Sequence, residues 1–363
     1  MNDEPTTGQP QPGLTRRRLI ASSVAGSLAA PLLFGERARE AAAAFDQLRA
    51  VPVYFPRSPF TPDIPDLSGK LAVVTGASRG NGRAVGDALM ALGATVVGTS
   101  RNPAGVPNPP AFPLVKLDVA DPVSVGTFPA RLAATAAFRQ RGAVDILANN
   151  AGRFVFGEII PSPGDLAAYT VQRDLTVRTL YSGHVLMTNV VLPLMPREGY
   201  ARIVFTVSIA AWYTGENLPG ASGIDTYASA KTALRTYAAN LRAALAAGGS
   251  NVRVSTVNPY VMNTALAKHP NPIYTQPVNT IGESPTDAAF NTAVRGIRAL
   301  LANGLPPSMV GDAYGQLLRM TEPTPHAAVG SPNEPLATQG FNTAIEAQIP
   351  ADNRISAIPL DTA

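Results

Sequence analysis

The stretch Leu71-Ala72-Val73-Val74-Thr75-Gly76-Ala77-Ser78-Arg79-Gly80-Asn81-Gly82 decides the fold. Its first five residues form a continuous apolar, β-branched run of strand length, the pattern of a strand covered on both faces. Glycines at 76, 80 and 82 follow, and Gly82–Leu92 then reads as a helix. A tight strand-to-helix turn needs positive φ or an absent Cβ, and a diphosphate approaching the backbone leaves no room for side chains. The helix start offers unpaired N–H groups and the positive end of a dipole, so the turn suits a dinucleotide phosphate.

Outward from this unit the same order repeats. Further strand-length runs lie at Thr95–Thr99, Leu114–Leu117, Ile146–Asn149, Ile203–Val207 and Val252–Val257. Between them Val123–Arg141, the region Tyr169–Leu192 and Tyr227–Ala247 read as helices. Strand-helix alternation implies an α/β fold, a doubly wound parallel sheet of Rossmann type, in a single domain spanning 68–320. Prolines at 52, 56, 59, 62 and 65 make 45–67 an extended linker, and 321–363 reads as an irregular tail.

The end of the second strand selects the dinucleotide. A carboxylate there would bind a ribose 2′-hydroxyl and repel a 2′-phosphate. The chain instead carries Ser100-Arg101, with Arg79 in the glycine turn as a second guanidinium. NADP is therefore expected ahead of NAD.

Tyr227-Ala-Ser-Ala-Lys231 sets a phenol and an ammonium on one face of a helix. A nearby cation favours the phenolate and brings its pKa toward a useful range. Ser208 stands where the strand Ile203–Val207 ends, at the carboxyl edge where open sheets hold ligands. Its hydroxyl can orient a substrate oxygen as charge develops there.

With these residues in place, the chain resembles the short-chain dehydrogenase/reductase family over about residues 66–320. Thr75-Gly76-Ala77-Ser78-Arg79-Gly80-Asn81-Gly82 is similar to the family's glycine motif, and Asp118-Val119 to its adenine-contacting acid. Asn149-Asn150-Ala151-Gly152 resembles the motif that lies along the cofactor. Ser208, Tyr227 and Lys231 fall on the catalytic serine, tyrosine and lysine, and the lysine would also hold the nicotinamide ribose. Asn258-Pro259 followed by Thr264 resembles the segment whose threonine approaches the carboxamide. The resemblance implies hydride transfer between the nicotinamide and a carbonyl or secondary alcohol. Tyr227 would be the general acid/base, Lys231 would lower its pKa and Ser208 would orient the oxygen.

Departures from the pattern are specific. The family's helix asparagine falls at Leu180, Asn81 replaces an aliphatic residue, and Tyr260 replaces a glycine. The segment between Ser208 and Tyr227 reads as a substrate-side loop or a surface insertion, and Trp212, Tyr213 and Tyr260 suggest either an apolar or aromatic ligand or ordinary packing. Residues 265–290 fall where a substrate lid would lie. Pairing of copies through helices is expected from the resemblance.

Composition excludes other classes. The chain is 45% hydrophobic and 15% charged, too apolar for general disorder. It has no cysteine and three histidines, against a thiol nucleophile or a resident metal. A net charge of +4 without a basic block in the body argues against a nucleic-acid partner. Thr15-Arg16-Arg17-Arg18 ahead of the charge-free Leu19–Phe34 is similar to a twin-arginine signal within residues 1–44. That run is short of the ~20 apolar residues of a stable membrane span. Export to an extracytoplasmic space is expected, or a cytoplasmic location if the segment is no signal. A non-catalytic dinucleotide sensor is the alternative function. A methyltransferase on the same sheet is disfavoured by the missing carboxylate after the second strand.

Overall fold

The computed structural model describes residues 62–154, 166–212, 224–264 and 304–330 of the chain. Seven strands form one parallel sheet: β1 Leu71–Val74, β2 Thr95–Ser100, β3 Leu114–Lys116, β4 Ile146–Asn149, β5 Ala201–Thr206, β6 Val252–Pro259 and β7 His326–Val329. Their order in the sheet is β3-β2-β1-β4-β5-β6-β7. The chain works outward from β1 to β3, then crosses to the other side of β1 with β4. Val74 therefore pairs with Gly98 on one side and Ala148 on the other. At such a reversal the connections leave in opposite directions and open a crevice above the carboxyl ends of the strands.

Alternation along each strand explains why no polar face was visible in the sequence. Leu71 and Val73, Leu147, Ile203 and Phe205 enter one core, while Ala72 and Val74, Ile146, Ala148 and Val204 enter the other. Both faces are covered, so successive side chains are apolar whichever way they point. One face carries α1 Gly80–Ala91 and α8 Ser308–Leu318. The other carries α2 Pro122–Gly126, α3 Phe128–Ala133, α4 Ala136–Arg141, α5 Leu166–Val177, α6 Gly183–Val191 and α7 Asp225–Ala247.

Three boundaries differ from the expectations. The segment 123–141 is three short helices, because Pro129 opens α3 without an N–H and Thr135 caps α4, accepting from the Phe138 N–H at 3.2 Å. The linker gives way to the domain before residue 67: Leu67 is fully buried, and Ile64 N–H donates to the Arg319 carbonyl at 3.1 Å. The tail is not irregular at its start, since β7 pairs with β6, Thr256 opposite His326 and Pro259 opposite Val329. A four-residue strand among prolines is marginal alone and forms because β6 offers it a free edge.

Residues 1–61, 155–165, 213–223, 265–303 and 331–363 lie outside the described residues, and with them the signal segment, most of the substrate-side loop and the lid region. Among the described residues no helix is long and apolar enough to cross a membrane, and no histidine or carboxylate cluster could hold a metal.

Candidate active site

The glycine turn leaves β1 at the crevice. Gly76 has φ +67° and Gly80 φ +56°, both in the left-handed region that favours glycine. A Cβ on Gly76 would stand 2.8 Å from Ala151 Cα, and one on Gly82 would collide with Asn150 Nδ2 and the Gly76 carbonyl. Gly76 and Gly82 are thus also required by packing of the turn on the end of β4, a need added to the tight turn and phosphate approach expected from the sequence. Thr99 holds the turn from β2: its Oγ1 accepts from Gly76 N–H at 3.2 Å and its carbonyl from Ala77 N–H at 2.9 Å.

The start of α1 is suited to an anion. Arg79 is its N-cap residue and makes no side-chain cap, and the first turn carries no acid. Its leading N–H groups are left for a ligand or water. Ser78 is half-buried beside them, and the Asn81 Oδ1 is buried without a hydrogen-bond partner among the described residues. These features fit a dinucleotide phosphate with a further donor nearby.

Thr75 and Asn150 act on each other. Thr75 Oγ1 accepts from the Asn150 and Ala151 N–H groups at 2.8 and 2.9 Å, and Asn150 Nδ2 donates to the Thr75 carbonyl at 3.1 Å. Thr206 Oγ1 donates to Asn150 Oδ1 at 3.2 Å, linking the ends of β1, β4 and β5. Both residues fix the shape of the pocket floor, and Gly152 is exposed beyond them.

Ser208, Tyr227 and Lys231 come together. Ser208 follows the end of β5 and caps the single turn Ile209–Ala211, its Oγ accepting from Ala210 N–H at 3.1 Å. Its hydroxyl lies near enough to the Tyr227 phenol to favour the phenolate. Tyr227 and Lys231, four apart on α7, are both buried, and Lys231 Nζ lies 6.0 Å from the Tyr227 ring centroid. Phe154, just past the end of β4, meets the Tyr227 ring edge-on with centroids 5.0 Å apart. Electrostatics differ from the sequence expectation. Burial raises the Tyr227 phenol above its ordinary 10, opposed by the nearby Ser208 hydroxyl, and burial lowers Lys231 to about 7. Low dielectric penalises the charged form of each group, and here that outweighs their mutual attraction.

Leu180, where the resemblance sets the family's helix asparagine, is wholly buried against Tyr227, Ala210 and Ala230. It sits in a π-helical turn, Arg178–Ser182, between α5 and α6. One turn on, His184 is fully buried and its Nε2 meets the Ala151 carbonyl at 2.8 Å. That contact requires the proton on Nε2, which leaves Nδ1 a bare acceptor; it has no partner among the described residues.

The remaining candidates divide. Arg101 and Ser100 stand at the end of β2, and Arg79 and Arg101 are close enough that each repels the other's charge. Asp118 is half-buried after β3 and accepts from Ala120 N–H at 3.0 Å. Val119 points into the core. Pro259 ends β6, and Thr264 is placed beside Gly80, with its Cβ 3.4 Å from where a Gly80 Cβ would stand. Tyr260 is half-buried and its N–H donates to Val329 at 2.8 Å. Trp212 takes the packing role of the two readings open for it. It is only 4% exposed, its indole N–H donates to Asn258 Oδ1 at 3.0 Å, and its ring meets His326 edge-on and Arg235 face-on. It is a packing residue between α7 and β7. Sequence reasoning missed Arg153, His184 and Thr206. The signal for Arg153 was a charge directly after Asn150-Ala151-Gly152.

A family model described as short chain dehydrogenase matches residues 70–273. A dehydrogenase/reductase SDR family protein 7-like of Drosophila melanogaster is 30% identical over 214 residues, 55% of this chain and 60% of that protein. A 3-oxoacyl-[acyl-carrier-protein] reductase FabG of Salmonella typhimurium is 29% identical over 207 residues, 56% of this chain and 77% of that one. The chain thus spans about three-fifths of the length of the insect relatives it matches. Among solved structures, a short-chain dehydrogenase/reductase from Burkholderia phymatum in complex with NAD aligns with TM-score 0.58 at 22% identity, covering 80% of this chain and 99% of that one. A short-chain dehydrogenase from Burkholderia cenocepacia in complex with NADP aligns with TM-score 0.50 at 25% identity, covering 72% and 97%. The family match covers more than half of the chain and includes the glycine turn, the serine, the tyrosine and the lysine; this chain belongs to the short-chain dehydrogenases.

Proposed function

We propose that the protein is an NADP(H)-dependent oxidoreductase that interconverts a carbonyl and a secondary alcohol and works in the reductive direction near neutral pH. NADPH, when bound, supplies the hydride to the carbonyl carbon. Tyr227 donates its proton to the carbonyl oxygen as negative charge develops there, and burial keeps the phenol protonated until then. Ser208 donates a hydrogen bond to the same oxygen and strengthens it as negative charge grows. Lys231 offers a cation beside the tyrosinate left behind. The observation that carries this reading is the buried contact between Ser208 and Tyr227, one helical turn from Lys231, above the carboxyl ends of β5 and β4. Arg101 and Arg79 support NADP over NAD, because two guanidinium groups without an acid at the end of β2 suit a 2′-phosphate.

The test is NADPH absorbance across a panel of ketones and aldehydes, with Tyr227→Phe as comparator. Turnover should fall at least about 100-fold in the variant, the usual contribution of a positioned acid, while nucleotide binding by fluorescence persists. Undiminished turnover in Tyr227→Phe would overturn the reading.

We infer further that residues 1–44 direct export of the folded chain, on the basis of Arg16-Arg17-Arg18 and the charge-free run after them. Fusing that segment to a folded reporter and fractionating cells tests it. A reporter retained with the soluble cell contents would refute export.

A further inference from the structure

We propose that Arg153 is a third cation of the cofactor site and, with Arg101, recognises the 2′-phosphate. The inference rests on the NADP reading above and adds a residue that sets specificity. Its basis is placement: β2, β1 and β4 are neighbours in the sheet and run parallel. Arg101 follows β2, Arg79 follows β1 in the glycine turn, and Arg153 follows β4. Three guanidinium-bearing residues therefore rise from one edge of the sheet, on the two sides of the point where strand order reverses.

How Arg153 is held matters as much as where it is. Its Nη2 donates to Gln172 Oε1 at 2.6 Å, and Gln172 is a buried residue of α5. A neutral amide orients the guanidinium without cancelling its charge. Other arginines of the fold are held by carboxylates, Arg141 by Asp145 and Arg253 by Glu322, or by backbone carbonyls, as Arg202 and Arg242 are. Arg153 meets no carboxylate among the described residues, and it feels the charge of Arg101. Burying a cation beside another cation is unfavourable unless an anion joins them. A phosphate monoester, with about −1.5 to −2 charges and three acceptor oxygens, matches a pair of guanidinium forks carried at one edge of the sheet.

The experiment measures dissociation constants of the full chain for NADPH and NADH by nucleotide fluorescence. The wild-type protein should bind NADPH more tightly. In Arg153→Gln the NADH-to-NADPH ratio of dissociation constants should fall about ten-fold, the size of one lost charge-assisted contact. Gln172→Glu should lower the ratio in the same direction while leaving Arg153 in place, because a paired carboxylate cancels the charge; it decides the matter if Arg153→Gln fails to fold. Arg153→Lys should retain a clear preference for NADPH. A wild-type protein without preference would sink the NADP reading, and this inference with it. A wild-type preference that survives both Arg153→Gln and Gln172→Glu, or equal weakening of both nucleotides, would leave the NADP reading standing and overturn the role of Arg153.

Discussion

Lys231 Nζ donates a 2.6 Å hydrogen bond to the carbonyl of Thr206, the last residue of β5. Thr206 in turn engages Asn150 and the Tyr314 hydroxyl through its own Oγ1. The lysine is therefore fixed by a neutral acceptor, and burial brings its pKa down from 10.5 to about 7. Between those values the unfolded chain holds a proton that the folded one lacks, so stability rises with pH across that window. The slope from this one group is up to about 1.4 kcal/mol per pH unit. Urea unfolding of ligand-free protein at pH 7.5 and 9.5 should show wild type gaining about 2 kcal/mol. Lys231→Met should show much less of this gain. Equal gains in both proteins would mean that Lys231 keeps its proton when buried.

Gly82→Ala should cost about 1–3 kcal/mol, the range for overpacking a filled interior. The added methyl would meet Asn150 Nδ2 and the Gly76 carbonyl, neither at the end of a flexible chain. Either the turn must lift from β4 or Asn150 must release Thr75. Thermal unfolding measures the cost, and a shift in nucleotide affinity should accompany it, since the same movement reshapes the cradle. An unchanged melting temperature would contradict the packing argument.

Trp212→Phe should lower stability by about 1–2 kcal/mol. The substitution keeps an aromatic ring but leaves the buried Asn258 Oδ1 without its donor, and an unsatisfied buried acceptor costs about that much. Denaturant unfolding with an unchanged m-value and a lowered midpoint is the expected signature.

What was legible in the sequence follows from where the physics is local. The strands Leu71–Val74 and Ile146–Asn149 declare themselves because burial on both faces leaves no polar position to interrupt them. The glycine turn is legible because positive φ admits few other residues. Tyr227 and Lys231 are legible through their four-residue spacing on one helix. Long-range features are not: each of the four residues of β7 pairs with a β6 residue 70 positions earlier, and no local pattern marks the strand. Ligand contact and packing could not be told apart for Trp212 because its distant partners, Asn258 and His326, leave no local mark. The electrostatics failed for a related reason. Proximity of a lysine to a tyrosine is written in the sequence, but the depth at which both are buried is not, and depth reverses the sign of the tyrosine shift.

Acid should destabilise the protein in a way traceable to single histidines. His184 and His326 are both held near 3 by burial, with Lys231 repelling the first and Arg242 and Arg235 the second. From their ordinary 6.5 down to about 3, the unfolded chain takes up protons that the folded one refuses. The contribution of the two histidines is therefore complete above pH 6.5 and drains as pH falls, by up to about 1.4 kcal/mol per unit for each. His326→Gln isolates one of them. Glutamine can still meet Thr256 Oγ1, which lies 2.7 Å from His326 Nδ1, but it cannot take up a proton. Urea unfolding at pH 6.5 and 5.0 should show wild type losing more stability than the variant, by about 1–2 kcal/mol. The Arg253–Glu322 pair also weakens in acid, but it is common to both proteins and cancels in the difference. Parallel losses in the two proteins would show that His326 ionises in place, which its position among two arginines and the Trp212 ring forbids.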